Sequence, residues 1–543
     1  MLTEELKKII KGEVLSDVNE LAPYSRDASI FEVKPSLVVK PEDTGDIKQV
    51  VKFVIQRKSD QPGLSITARA GGTDMTGGPL NDSIILDFTA HLNKMVELGD
   101  TWAVVEPGMY YRDFEKLTLA KNLFLPSYPA SREICTVGGM VANNAGGEKS
   151  LVYGKTENFV EELTIVLADG REYVIKPLTV EQLESKKTLD GWEGRIYREM
   201  HDLIEMHYDA IQNARPKVSK NSAGYALWNV WDRRVFDLTK LLTGSQGTLG
   251  LITKIKFRLI TPKKHSKLLV IFLPSLKILG DLIVEVMKYQ PESFESYDDH
   301  TLKLALRFLP NFIKIMKGSF WGFLFKFWPE VRMLLTGGLP KLVLLAEFTG
   351  DNQSVLTEVV NKLQSELSLQ FKVKSRIAKD QADVRKYWTM RRESFNLLRQ
   401  YVRGKKTTPF IDDIIVRPEK LADFLPRLEN ILMPYQNLIY TIAGHAGDGN
   451  FHIIPLMKPS DPTRAQTIQE LSEKVYNLVV EFDGSITAEH NDGLIRTPFL
   501  KKMYGPEINI LFQKTKEIFD PQGIFNPRKK VGGTMAYALD HLQ

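Results

Sequence analysis

A chain of 543 residues is too long for one ordinary core and implies two or three domains. Hydrophobic and charged fractions of 43% and 26% are those of a globular protein in water, and a net charge of +5 is too mild over this length to argue for nucleic acid. A single cysteine, Cys135, excludes an internal disulfide and an iron–sulfur cluster, which takes about four thiolates.

The amino terminus lacks the apolar core of a signal peptide, and no stretch reaches the roughly 18 uninterrupted apolar residues of a spanning helix. The expectation is a cytoplasmic protein. Leu64 to Arg69 alternates like a strand and runs into Ala70-Gly-Gly-Thr-Asp-Met-Thr-Gly-Gly78, a loop whose consecutive amides suit a diphosphate. It is neither the three-glycine dinucleotide fingerprint nor a Walker loop. Cys135-Thr-Val-Gly-Gly-Met-Val-Ala-Asn-Asn-Ala-Gly-Gly147 and Leu242-Thr-Gly-Ser-Gln-Gly-Thr-Leu-Gly-Leu-Ile-Thr253 share its small residues, amide side chains and lack of bulk. Three such loops in one half of a chain suit an extended ligand that needs several close backbone approaches, as a dinucleotide does. Leu249 to Leu259 reads as a last strand of this half, broken by Thr261-Pro-Lys-Lys264.

Leu302 to Leu335 contains Phe320-Trp-Gly-Phe-Leu-Phe-Lys-Phe-Trp328, with Lys303, Arg307, Lys314 and Lys317 spaced to share one helix face. A cationic stripe opposite aromatics fits either a segment lying on an anionic membrane, in reach of a quinone pool, or a cap element that buries its aromatics. Further on, Leu438 to Gly444 and Phe451 to Leu456 read as two strands around the turn pair Asp448-Gly449. Such a hairpin sets His445 and His452 side by side. With Glu489 they read as an open two-histidine, one-carboxylate site for a divalent metal, most suitably zinc, with manganese or iron also compatible. His490 beside it would serve as general base.

The order Tyr24-Ser-Arg-Asp-Ala-Ser29, Arg69-Ala-Gly-Gly-Thr73, Val105-Glu-Pro-Gly108, the Cys135 to Gly147 loop, Tyr153-Gly-Lys-Thr156, Leu167-Ala-Asp-Gly170, Gly244-Ser-Gln-Gly-Thr-Leu-Gly250, Gly444-His-Ala-Gly-Asp-Gly-Asn450, Glu489-His490 and Phe519-Asp-Pro-Gln-Gly-Ile-Phe-Asn-Pro527 resembles the FAD-linked D-2-hydroxyacid dehydrogenases. These include the D-lactate, glycolate and D-2-hydroxyglutarate enzymes of the vanillyl-alcohol-oxidase superfamily. The resemblance implies an α+β fold: a two-lobed FAD-binding domain over 1–262, an antiparallel-sheet cap or substrate domain over 263–496, and a C-terminal segment over 497–543 that returns to the flavin. It implies non-covalent FAD held by Arg69, Ala70, Gly71, Gly72, Thr73, Asp74, Thr76 and Gly77, by Thr136, Gly138, Gly139, Asn143 and Gly146, and by Gly247, Ile252 and Asn526. It further implies that Arg391, in Trp388-Thr-Met-Arg391, grips the substrate carboxylate while His490 takes the hydroxyl proton.

The implied reaction is oxidation of a D-2-hydroxyacid to the 2-oxoacid, with electrons passed to a quinone, an electron-transfer flavoprotein or an iron–sulfur partner. Peripheral contact with the inner membrane face through 302–335 would go with the first of these. The competing readings are a non-catalytic flavin subunit and a lipid-processing relative of the alkyl-dihydroxyacetone-phosphate synthases. The chain departs from the family pattern at Ala70 and Asp74, at Gln246, and at Asn491, where glycine usually follows the Glu-His pair. A side chain at Asn491, beside the base, is expected either to narrow the substrate pocket or to crowd His490 out of place. Lys405, Lys406, Asp412 and Asp413 are candidates for reading a distal substrate group.

Overall fold

The computed structural model describes residues 2–299, 339–401, 405–435 and 438–543. The aromatic stretch 302–335, and with it the membrane-contact expectation, lies outside them. Three sheets carry the fold, which is α+β as anticipated.

The first sheet is built from β1 (Glu13–Leu15), β2 (Leu37–Lys40), β3 (Ile66–Arg69) and β4 (Ile84–Asp87) in the order β1-β2-β4-β3. β2 and β3 both run parallel to β4, so the chain must cross over between them. Helix Thr44–Arg57 makes one crossover, capped by the Asp43 carboxylate on the Asp46 amide, and buries Val50, Val51, Phe53 and Val54 against the strands.

The second sheet is antiparallel. It contains β5 (Met95–Leu98), β6 (Trp102–Val105), β7 (Val160–Val166), β8 (Glu172–Ile175) and, after a small β9–β10 ribbon (Leu178–Thr179 with Val235–Phe236), β11 (Leu251–Arg258). β11 alternates buried and open positions along its length, the period expected of a strand covered on one face. The C-terminal stretch returns to the first sheet: the Ile66 amide donates to Ile524 and the Asn526 amide to Ile66.

The third sheet has eight strands, namely β12 (His265–Leu273), β13 (Ser293–Asp298), β14 (Leu342–Gly350), β15 (Lys374–Ile377), β16 (Lys406–Thr407), β17 (Ile414–Ile415), β18 (Ile439–His445) and β19 (Asn450–Met457). Its central strands are apolar on both faces because both are covered. Leu269, Ile271 and Leu273 of β12 join the main core under helices Leu279–Met287 and Gln353–Phe371, whereas Leu268, Val270 and Phe272 pack with Tyr387, Trp388 and Met390 of helix Gln381–Tyr401. On β13, Tyr297 belongs to this second cluster and Phe294 to the first, so Glu295 points toward helix Gln381–Tyr401.

The β18–β19 hairpin pairs Ala443 with His452 and His445 with Asn450, which sets both histidines on one face. Its turn is a 3-10 turn over Ala446–Asp448 closed by Gly449 at φ +71. A Cβ there would lie 2.0 Å from the Val416 carbonyl oxygen, so only glycine fits. Gly449→Ala is expected to destabilise the protein by more than about 1 kcal/mol from backbone strain alone; an unchanged melting midpoint would contradict this.

Candidate active site

The three glycine loops meet around a cleft. Arg69 to Asp74 line it without a break, joined by Thr136, Gly138, Gly139, Asn143, Gly247 and Ile252. Thr136 also caps helix Val137–Asn143 by accepting from the Gly139 amide. Gly72 adopts φ +64, and a Cβ there would lie 2.7 Å from Arg69 Nη2, so the wall stays bare. The Arg69 guanidinium faces outward and donates to the carbonyls of Pro23, Tyr24 and Arg26, which anchors the Tyr24–Ser29 motif behind the loop.

Four expected cofactor residues stand elsewhere. Thr76 and Gly77 pack against Gly493, Leu494 and Phe31, and Asn526 ties Thr67, Gly78 and Gln246 together behind the wall. Gly146 abuts the acidic site instead, where a Cβ would lie 3.0 Å from Glu489 Oε2. Phe88, Pro107 and Gly250 also line it; Pro107 and Gly250 sit within quoted motifs, whereas nothing in the sequence marks Phe88.

The departures from the family pattern are absorbed locally. Asp74 folds back on its own loop: one carboxylate oxygen accepts from the Thr76 amide and hydroxyl, the other from the Gly78 amide. Asn491 has φ +71, a left-handed position that asparagine tolerates. Its side-chain amide donates to the carbonyls of Asn143 and Gly244, so it braces two cofactor loops rather than crowding His490.

Beside these loops the hairpin meets residues 485–492. His445 Nε2 lies 3.0 Å and His452 Nε2 3.5 Å from Glu489 Oε1, and the two rings sit 5.2 Å apart edge to face. Their outer nitrogens are committed. His452 Nδ1 faces the Asp412 carbonyl at 2.9 Å, and because a carbonyl can only accept, the proton is on Nδ1 and the Nε2 lone pair points inward. His445 Nδ1 donates to Glu295 Oε1 at 2.5 Å, so its Nε2 faces Glu489 and would become a ligand once a cation displaced the proton it shares with that carboxylate. Two imidazole nitrogens thus face one carboxylate oxygen, Glu489 Oε1.

Asp413, His452, Glu489 and His490 form an alternative group whose ligand atoms lie within 4.8 Å of one another. Asp413, however, is saturated. Its Oδ2 accepts from Thr487 Oγ1 and from the amides of Glu489 and His490, and its Oδ1 from Asn450 Nδ2.

His490 stacks on His452, centroids 4.9 Å apart, and its Nδ1 bonds Asp412 Oδ2 at 2.7 Å. Arg496, fully buried, pairs with the other Asp412 oxygen. Burial works against an imidazolium at His490, but Asp413 and Asp412 outweigh it and raise its pKa to about 9, above the near-neutral titration anticipated from sequence. At His452 burial wins, helped by His490, and the pKa falls to about 4. Burial likewise opposes charge on His445, yet Glu295 raises it to about 9.

Arg391 does not stand open to a substrate carboxylate through its fork. Its Nη2 and Nε lie 3.0 and 3.2 Å from Glu295 Oε2. The clamp assigned to it becomes a second tier, Arg391 to Glu295 to His445. Asp412 and Asp413, expected to read a distal group, instead sit beneath the Glu489–His490 backbone, and Lys406 is exposed on β16. Sequence reasoning missed Glu295, Arg496 and Lys220. Lys220 is the one charge in the small-residue run Ser219-Lys-Asn-Ser-Ala-Gly224. Its Nζ lies 3.2 Å from Asp448 Oδ2 and 3.3 Å from Glu489 Oε2; burial disfavours the ammonium, but the two carboxylates hold its pKa above the usual lysine value. For Glu489, burial is outweighed by Lys220 and His445, and the carboxyl is held well below its usual range.

Residues 35–176 match the FAD binding domain family, and residues 262–530 the C-terminal domain of FAD linked oxidases. The two matches together place the chain among the FAD-linked oxidases. It is 28% identical over 530 residues to a D-2-hydroxyglutarate dehydrogenase of Pseudomonas putida, covering 96% of this chain and 50% of that one. It is 25% identical over 531 residues to a D-lactate dehydrogenase of Archaeoglobus fulgidus, covering 95% and 98%. The chain thus spans about half the length of the D-2-hydroxyglutarate dehydrogenase it matches. A 4-ethylphenol oxidase from Gulosibacter chungangensis shares the fold at TM-score 0.69 and 14% identity, over 97% of this chain and 96% of that one.

Cys135, in the second loop, is 3% exposed among apolar neighbours, and burial pushes its thiol up to about 12, so it makes a poor nucleophile for a flavin tether. Unfolding the yellow protein in guanidinium and filtering it is expected to release the colour; colour retained with the chain would contradict this.

Proposed function

We propose that this protein oxidises a D-2-hydroxyacid of the lactate, glycolate or 2-hydroxyglutarate type to the 2-oxoacid, using non-covalent FAD and one divalent cation. The observation that carries the reading is the convergence of His445 Nε2 and His452 Nε2 on Glu489 Oε1, with the His490–Asp412 pair stacked alongside and the cofactor loops adjoining. The cleft from Arg69 to Ile252 would hold FAD, and the two imidazoles with Glu489 the cation; zinc suits that ligand set. Bound there, FAD supplies the hydride acceptor and the cation polarises the substrate hydroxyl.

The chain's own groups supply the rest. His490 uses Nδ1 on Asp412 and keeps Nε2 to take the hydroxyl proton. Asp412 orients the ring and, with Asp413, stabilises the imidazolium that forms. Glu295 and Arg391 hold His445 in the tautomer that ligates. In domain terms, 1–262 would bind FAD, 263–496 would supply the substrate side, and 497–543 would close back on the flavin. The names of the relatives support the substrate class, and a quinone, an electron-transfer flavoprotein or an iron–sulfur partner would take the electrons.

Anaerobic mixing of the oxidised holoprotein with D- and L-2-hydroxyacids tests the reading: a D-acid is expected to bleach the flavin absorbance, and no bleaching by any member would defeat it. Chelation is expected to lower that rate at least tenfold with FAD retained, and Zn²⁺ or Mn²⁺ to restore it; full activity in metal-free protein would refute the cation. A general base must be neutral, so with His490 raised to about 9 the value of kcat/KM should climb through neutral pH toward that limb, to a degree that a bound cation reduces. Asp412→Asn removes one of the charges that raise it. The limb should move to lower pH while the plateau falls, and a limb that stays in place would argue that another group titrates.

A further inference from the structure

Lys220 is a buried charge of the cluster that the proposed chemistry leaves unused. Its side chain is 1% exposed, and it contacts two carboxylates from separate segments, Asp448 at the hairpin turn and Glu489. Asp448 accepts from Ser219 Oγ at 2.6 Å on its other oxygen. Glu489 divides its oxygens, Oε1 toward the two imidazoles and Oε2 toward Lys220. Two buried carboxylates converging on one point, one of them shared with a metal-type donor set, resemble half of a two-cation centre in which a carboxylate bridges ions about 3.5–4 Å apart. Here the chain's own ammonium fills that second place.

We propose that Lys220 is a built-in cation that occupies the second position of this cluster, restricting it to one metal ion and keeping Glu489 a one-oxygen ligand. The inference rests on the reading that His445, His452 and Glu489 hold a divalent ion. Its physical ground is charge. Asp448 and Glu489 carry two negative charges out of water, and a buried carboxylate must be paired. With the ammonium in place, one charge is matched and Oε2 is engaged. Without it, both carboxylates are left to attract a cation from solution. A plain strut would need only a hydrogen-bond donor at this position; a cation's role needs the charge.

Calorimetric titration of the metal-free, FAD-loaded protein with Co²⁺ separates these roles by stoichiometry, a readout independent of turnover. The wild type is expected to take one equivalent per chain, and Lys220→Gln, which keeps a donor but no charge, to take two. Lys220→Arg should stay at one, and adding Asp448→Asn to Lys220→Gln should return it to one by removing a ligand of the second position. Lys220→Met serves in place of Lys220→Gln, with the same outcomes, if the latter does not fold. One equivalent in both the wild type and the neutral variant would overturn the inference and leave the metal reading standing. None in the wild type with one in the neutral variant would defeat the metal reading and the inference with it, because no first ion would then exist for the ammonium to stand beside. None in either would defeat both.

Discussion

Asp413 joins the parts of the site that lie farthest apart in the chain. Its carboxylate accepts from Thr487 Oγ1, from the amides of Glu489 and His490, and from the Asn450 side chain, so one buried anion holds the 485–492 loop against the β18–β19 hairpin. Apart from Ile486, which joins the main core, the loop is small and polar, and its amides would be orphaned once buried. The carboxylate satisfies two of them and, in doing so, sets the direction in which Glu489 and His490 leave the backbone. The meeting of hairpin and loop follows from that contact, and the acid–base pair rests on it.

Around this anchor, charge is arranged in alternating pairs. Arg391 neutralises Glu295, which orients His445; Lys220 neutralises Asp448 and one oxygen of Glu489; Arg496 neutralises Asp412, which orients His490. Each ion but the partly buried Arg391 is buried, and a buried charge is tolerated only with a partner in good geometry. The result is a set of side chains whose rotamers are fixed from behind, leaving Nε2 of the histidines and one oxygen of Glu489 as the inward-facing atoms. The lowered pKa of His452 and the raised pKa of His490 express the same arrangement, because stacked imidazoles 4.9 Å apart do not both carry charge readily and the carboxylates lie nearer His490.

Much of this was legible from residues alone. The Asp448-Gly449 pair between two apolar runs carries its own turn chemistry, so the hairpin and the side-by-side histidines could be read from it. The glycine-rich loops announced a ligand-lined wall because a bare backbone has few other reasons to recur three times. Asn526, Thr76 and Gly77 were misplaced for one reason: a motif shows that a segment is near the cofactor but not which of its residues turns inward. Arg391 was read as a clamp on the substrate, because its partner Glu295 lies in a strand 96 residues away and nothing local pairs them. Asp412 and Asp413 looked like surface recognition groups because a doublet of aspartates is ordinarily solvated, and only tertiary burial makes them structural anions.

Local sequence determined the elements, their caps and turns, and the chemical inventory: which nitrogens, carboxylates and bare loops exist, and how the hairpin folds. Those features depend on backbone preference and on periodicity over a few residues, which a linear string records. Only the tertiary structure decided which charge faces which: that Glu295 takes Arg391, that Lys220 sits on Glu489, and that Asp413 ties the loop to the hairpin. Such pairings are set by the packing of three sheets and by the cost of leaving an ion buried without a partner, and neither quantity is written in the order of the residues.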